Sequence, residues 1–181
     1  MLNEDMKEIL FTAKDIEART VDIAKAISRD YGGTVPLFVG VLKGAVIFFA
    51  DLIRHIEIPI EIDFIATSSY GASTQSSGVV RILKDLDVPL QGRDVVIVED
   101  IVDSGLTLTY LRDTLLRRGA KSIRIATAFD KPEGRKVPIV PDYFCFTVPN
   151  LFIVGYGLDY AEGYRHLPYV GVLKESVYTH E

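Results

Sequence analysis

Residues 95–109 read Val-Val-Ile-Val-Glu-Asp-Ile-Val-Asp-Ser-Gly-Leu-Thr-Leu-Thr, and this stretch decides the fold class. Four consecutive apolar β-branched residues, Val95, Val96, Ile97 and Val98, predict a strand buried on both faces, as in a parallel sheet covered by helices. The strand runs into the carboxylates Glu99, Asp100 and Asp103, then into Ser104, Gly105, Leu106 and Thr107. A helical pattern follows, with Leu108, Leu111, Leu115 and Leu116 on its apolar side. In open parallel sheets ligands bind beyond the carboxyl ends of the strands, where the amides opening the next helix, here residues 104–107, face an anion. The stretch is neither a Walker loop, GxxxxGK[ST], nor a GxGxxG fingerprint. Glu99 and Asp100 instead suit a sugar diol, because carboxylates accept hydrogen bonds from two adjacent hydroxyls and share a hard cation such as magnesium. Gly105 permits close backbone approach, and Ser104 and Thr107 add hydroxyls. A diol grip followed by a phosphate cradle describes a site for a ribose 5-phosphate.

Working outward, strands alternate with helices. Thr12 and Asp15 have the spacing of a capping box, Ile16, Ile23 and Ile27 continue that helix, and Gly32-Gly33 ends it. Residues 37–42 form a short buried strand, and residues 45–55 a mostly apolar helix that is buried or lies in a subunit interface. Ile58, Ile60, Ile62 and Phe64 alternate with Pro59, Glu61 and Asp63, the pattern of a half-buried strand. Residues 67–78 are rich in Ser, Thr and Gly and predict a mobile loop, with residues 79–83 returning as a strand. Residues 123–129 form another strand, and residues 143–154 hold two more around Pro149-Asn150. This order predicts an α/β fold with a mainly parallel central sheet flanked by helices.

The 181 residues are expected to form a single domain over residues 1–181, and 48% apolar with 25% charged residues is a globular balance. No linker, repeat or low-complexity run interrupts them. The first seven residues are acidic and polar, unlike a signal peptide. The longest apolar run, residues 45–50, falls far short of the roughly 20 residues that span a bilayer. The single cysteine, Cys145, lies between Phe144 and Phe146 and is expected to be a buried small hydrophobe. These features predict a cytoplasmic protein with no membrane partner, and a net charge of -5 argues against broad nucleic-acid binding.

Residues 99–107 closely resemble the phosphoribosyl pyrophosphate signature of the type I phosphoribosyltransferases, in the version of the hypoxanthine-guanine branch. Leu42-Lys43-Gly44, Ser68-Ser69-Tyr70-Gly71, Asp130-Lys131-Pro132 and residues 152–160 followed by Arg165 resemble further segments of that family, in its order. The resemblance implies the type I phosphoribosyltransferase fold, with a small hood and a flexible lid loop. It also implies magnesium-dependent purine salvage, in which phosphoribosyl pyrophosphate and a 6-oxopurine (hypoxanthine, guanine or xanthine) give a nucleoside monophosphate and pyrophosphate. Homodimers or homotetramers are expected. A regulatory relative that keeps the fold but binds nucleic acid is the alternative; it should carry a basic face and could dispense with the base-contacting residues.

The resemblance assigns roles residue by residue. Asp103 is the general base that takes the purine proton, an effect typically worth about 10²- to 10⁴-fold in rate. Lys131 meets the 6-oxo group, since an ammonium has donors only and so rejects a 6-amino group. Phe152 stacks on the purine, Ile153 offers backbone contacts, and Leu158 and Ile101 pack against the base. Asp159 lies near the exocyclic edge and a magnesium-bound water, while Arg165 holds the pyrophosphate with a guanidinium. Lys43 and Gly44 form the pyrophosphate loop, whose Leu-Lys peptide is often cis in the family. Ser69 and Tyr70 belong to the lid that excludes water. Glu99, Asp100 and Asp159 are the metal candidates. Residues 1–11 and the tail after Lys174 receive no role.

Overall fold

The computed structural model describes residues 2–69 and 80–179. After a short turn of 3-10 helix the elements run β1 (Met6–Phe11), α1 (Ala13–Asp30), β2 (Leu37–Leu42), α2 (Val46–Arg54), β3 (Glu61–Ser69), β4 (Val80–Lys84), β5 (Asp94–Val102), α3 (Leu106–Arg117), β6 (Ser122–Asp130), β7 (Tyr143–Thr147), β8 (Ile153–Val154), β9 (Val170–Leu173) and α4 (Glu175–Tyr178). The capping box forms: Asp15 N donates to Thr12 Oγ1 at 3.3 Å and Thr12 N donates to Asp15 Oδ2 at 3.0 Å. It fixes where α1 leaves the hood strand β1.

Six strands make the central sheet, in the order β4-β3-β2-β5-β6-β7. Every pairing is parallel except β3 with β4. The run 95–98 is buried on both faces because helices cover both. Phe38, Val96, Val98 and Ala126 pack toward Ile23, Ile27, Phe48 and Leu52 of α1 and α2. Val39, Val95, Ile97 and Ile125 pack toward Leu108, Leu111 and Leu115 of α3. From β2 the chain winds one way, through α2 to β3; from β5 it winds the other way, through α3 to β6. The carboxyl ends of β2 and β5 therefore flank a topological switch point, where the two crossovers part and leave a crevice. Residues 43–44 and 103–107 lie there.

A second sheet, β1-β9-β8, is antiparallel and forms the hood. It draws residues 6–11, left without a role by the sequence, against residues 170–173. Tyr164 Oη donates to Asp5 Oδ2 at 2.9 Å, and Lys174 N donates to the Asp5 carbonyl at 2.9 Å, tying the hood further. No helix among the described residues is long and apolar enough to cross a membrane.

Four local expectations are corrected. The strand at 95–98 extends to Val102, so Glu99 and Asp100 lie within β5 rather than beyond it. Residues 67–69 belong to β3 instead of a loop, and the returning strand begins at Val80. In β3 the alternation has the wrong inner face: Ile62 is exposed, whereas Asp63 and Ile65 are buried. Asp63 tolerates burial because Phe64 N and Asp87 N donate to it, at 2.7 and 2.8 Å, and Lys84 Nζ lies 3.6 Å away. Leu116 is exposed at the end of α3, one position past the packed stripe. Cys145 is buried, as expected, and burial pushes its thiol up to about 12.

Candidate active site

The crevice begins with the carboxylates of β5. Asp100 N donates to Glu99 Oε1 at 3.1 Å and Ile101 N donates to Asp100 Oδ1 at 2.6 Å, so both side chains fold back onto the strand. Burial, reinforced by the neighbouring Asp100 charge, pushes the Glu99 carboxyl well above its ordinary range, and burial raises Asp100 as well. Two acids held this close call for a bound cation or a pair of hydroxyl donors. Gly44 makes the arrangement possible: a Cβ there would lie 1.8 Å from Asp100 Oδ2, so only glycine lets the 43–44 turn touch the carboxylate. The Leu42–Lys43 peptide is cis.

Beyond β5 the chain turns through Gly105, at φ +79°, into α3. Ser104 Oγ accepts from Leu106 N at 3.4 Å, and the first-turn amides of a helix have no intrahelical acceptor, so the turn is suited to an anion. A cleft of ≈ 240 Å³ lies over this unit, lined by Leu42, Thr67, Glu99, Asp100, Ile101, Asp103, Ser104, Gly105 and Thr107 among others. A second cavity of ≈ 240 Å³ is lined by Asp100, Ile101, Asp103, Lys131, Leu151, Phe152, Ile153, Leu158 and Asp159. The two share Asp100, Ile101 and Asp103, which makes them halves of one site.

The parallel ladder between β5 and β6 explains how Lys131 reaches Asp103. Val102 pairs with Asp130, Lys131 N donates to the Val102 carbonyl at 3.0 Å, and the two side chains then meet, Nζ to Oδ2, at 2.8 Å. Lys131 is 13% exposed and Asp103 48%, so the lysine is the fixed partner and the aspartate the accessible one. Arg135 braces the same loop: it donates to the Asp103 carbonyl at 3.0 Å and pairs with buried Asp130. Lys136 N donates to the Ser104 carbonyl at 2.9 Å. One wall of the second cavity comes from the edge of the hood. Phe152 is half-exposed, its ring stacks on Tyr178 at 4.9 Å between centroids, and Tyr160 meets it edge-on at 5.7 Å.

Residues 7–161 match the phosphoribosyl transferase domain family. The hypoxanthine-guanine phosphoribosyltransferase of Streptococcus thermophilus is 58% identical over 179 residues, 99% of each chain. The enzyme of the same name from Streptococcus agalactiae is 55% identical over the same length. The chain belongs to the hypoxanthine-guanine phosphoribosyltransferase family. A hypoxanthine phosphoribosyltransferase structure from Staphylococcus aureus superposes with a TM-score of 0.96 at 42% identity, covering 99% of this chain and 97% of that one.

Against the signature of this phosphoribosyltransferase family, the structure gathers Glu99, Asp100, Ile101, Asp103, Ser104, Gly105 and Thr107 in one half of the cleft, with Leu106 opening α3 beside them. It gathers Lys131, Phe152, Ile153, Leu158 and Asp159 in the other. Lys43 instead points outward and pairs with Glu162, Nζ to Oε2, at 2.8 Å. Arg165 donates to the Gly157 carbonyl at 2.8 Å and pairs with Asp159 at 2.9 Å and Glu162 at 3.4 Å. Tyr70 lies outside the described residues, and of Ser69 the backbone alone is described, at the end of β3. Among the described residues no three His, Cys, Asp or Glu side chains converge on a metal position. Asp159 is engaged by Arg165 and by Glu162 N. Sequence reasoning missed Arg135, Glu162 and Tyr178. The three-residue spacing of Asp159, Glu162 and Arg165 was the available signal for the second, while nothing local marks Tyr178.

Proposed function

We propose that this chain transfers the 5-phosphoribosyl group of phosphoribosyl pyrophosphate to a 6-oxopurine in purine salvage, with magnesium, as one phosphoribosyltransferase domain over residues 1–181. The observation that carries this reading is the pair of adjoining cavities that share Asp100, Ile101 and Asp103. A ribose phosphate in one and a purine in the other place the bond to be made at their junction. The purine nitrogen attacks the anomeric carbon, the bond from that carbon to the pyrophosphate oxygen breaks, and Asp103 accepts the nitrogen's proton. For this Asp103 must part from Lys131, which then donates to the purine oxygen. One contact thus trades for two as substrate enters. A positioned base contributes about 10²- to 10⁴-fold, and the rest of the acceleration comes from orienting both substrates and stabilising the leaving charge.

Glu99 and Asp100 suit magnesium chemically, since they are hard oxygen donors whose mutual repulsion a divalent cation or a ribose diol relieves. Bound there with phosphoribosyl pyrophosphate, the ion would neutralise the charge of the departing pyrophosphate. Lys43, Gly44 and Arg165 are the residues that receive that product. Val46 stands exposed on the mostly apolar α2, which supports a homodimer or homotetramer. The polar, phosphorylated substrates fit a cytoplasmic enzyme. Nothing in the cleft favours the nucleic-acid-binding alternative, because the base-contacting residues are all present.

The test is a spectrophotometric assay with phosphoribosyl pyrophosphate and magnesium, offering hypoxanthine, guanine, xanthine and adenine separately. Turnover of the 6-oxopurines, its loss with a chelator, and little turnover of adenine are expected. Folded protein that turned over none of the four would overturn the reading.

A further inference from the structure

Glu162 joins two cations that come from distant parts of the chain. Its Oε2 lies 2.8 Å from Lys43 Nζ and its Oε1 lies 3.4 Å from Arg165 Nη2. The backbone is shaped to hold it there. Ala161 and Glu162 both occupy the left-handed region, at φ +50° and +64°, which residues with a Cβ seldom adopt. Asp159 Oδ2 accepts from Glu162 N at 2.9 Å, and Asp159 Oδ1 takes the same Arg165 guanidinium at 2.9 Å. Lys43 holds the Glu162 carboxyl below its usual range. A planar anion with one oxygen on each of two cations offers them what a phosphoryl group would.

Resting on the reading of Lys43 and Arg165 as pyrophosphate ligands, we propose that Glu162 is their internal counter-ion: it occupies the pyrophosphate subsite of the free enzyme, yields to the diphosphate of the substrate, and returns as product pyrophosphate leaves. The Lys43 and Glu162 side chains are 71% and 66% exposed, so their tie is a weak, solvated one that a diphosphate breaks. Its effect is on release. By competing for the same two cations, the carboxylate weakens pyrophosphate binding and keeps the product from stalling the enzyme.

The experiment compares Glu162→Gln, Glu162→Asp and Lys43→Gln with the unmodified full-length protein, measuring pyrophosphate product inhibition and the KM for each substrate. In Glu162→Gln the inhibition constant for pyrophosphate should fall about two- to fivefold, the upper part of the range that exposed ion pairs span. The KM for phosphoribosyl pyrophosphate should fall with it, and that for the purine should not move. Glu162→Asp, which keeps the charge, should stay near the original. An unchanged or weaker pyrophosphate affinity in Glu162→Gln, or equal shifts in the Gln and Asp variants, would overturn the proposal. Lys43→Gln separates the two layers: it should raise the inhibition constant, and if it does not, the pyrophosphate assignment itself fails.

Discussion

Of the two cavities, the one proposed for the ribose phosphate comes mainly from residues 99–107 at the junction of β5 and α3, whereas the one proposed for the purine is collected from Lys131, residues 151–153 and residues 158–159, beside the shared Asp100, Ile101 and Asp103. The first half is local. Its geometry follows from one strand, one left-handed glycine and one helix start, and a buried strand fixes it from below. The second half depends on two separate alignments: the β5–β6 register that brings Lys131 to Asp103, and the hood pairing that brings Phe152 over the cleft. Substitutions in the first should therefore act on chemistry, and substitutions in the second on which base is accepted and how tightly.

The largest effect is expected where the halves join. Asp103→Asn should lower kcat by about 10²- to 10⁴-fold with little change in the KM for phosphoribosyl pyrophosphate, read from steady-state kinetics. Equal losses in kcat and in binding of both substrates would blur the division between halves. Lys131→Gln comes next. Loss of a charged hydrogen bond to the purine oxygen should cut kcat/KM for hypoxanthine by about 10- to 100-fold, while adenine gains relative to it. Tyr178→Ala removes the ring stacked behind Phe152 and should raise the KM for the purine about two- to tenfold, leaving that for phosphoribosyl pyrophosphate alone. An equal rise in both would mean that the hood supports the whole cleft.

The smallest effect concerns stability. Glu99 and Asp100 have folded-state values raised above the unfolded ones, so the stability they contribute is present at acid pH and is lost as pH rises through their folded values. Glu99→Gln removes part of that loss, at the cost of activity. Thermal melts of the substrate-free protein should show the variant gaining Tm over the parent as pH increases from 5 to 8, and losing that advantage when magnesium and phosphoribosyl pyrophosphate are added. A difference independent of pH would place the strain elsewhere.

The same contrast explains what the sequence made legible. Residues 95–109 announce strand, carboxylates and helix start in a row, because the residues that make up that unit are consecutive in the chain. Asp63 shows the opposite case: its burial depends on Asp87 and Lys84, more than 20 residues away, so the alternation of β3 pointed to the wrong face. Residues 143–154 read as two strands around Pro149-Asn150, but only the first joins the central sheet; residues 153–154 join the hood, where they pair with β9 and Leu173 N donates to the Phe152 carbonyl at 2.9 Å. Tyr178 gains meaning through its contacts with Phe152 and Tyr160, and Glu162 through Lys43 as well as through its chain neighbours Asp159 and Arg165; the contact with Lys43, like those of Tyr178, is encoded in no local pattern.

The hood pairing also has a consequence for how the two halves of the cleft are tied together. Residues 6–11 and residues 170–173 are far apart in the chain, yet they pair, and residues 170–173 pair in turn with residues 153–154, next to Phe152. The β2–β5–α3 crevice is complete in sequence by residue 117. The crevice proposed for the ribose phosphate is thus built from elements between residues 37 and 117, and the wall proposed for the base depends on pairings that span most of the chain.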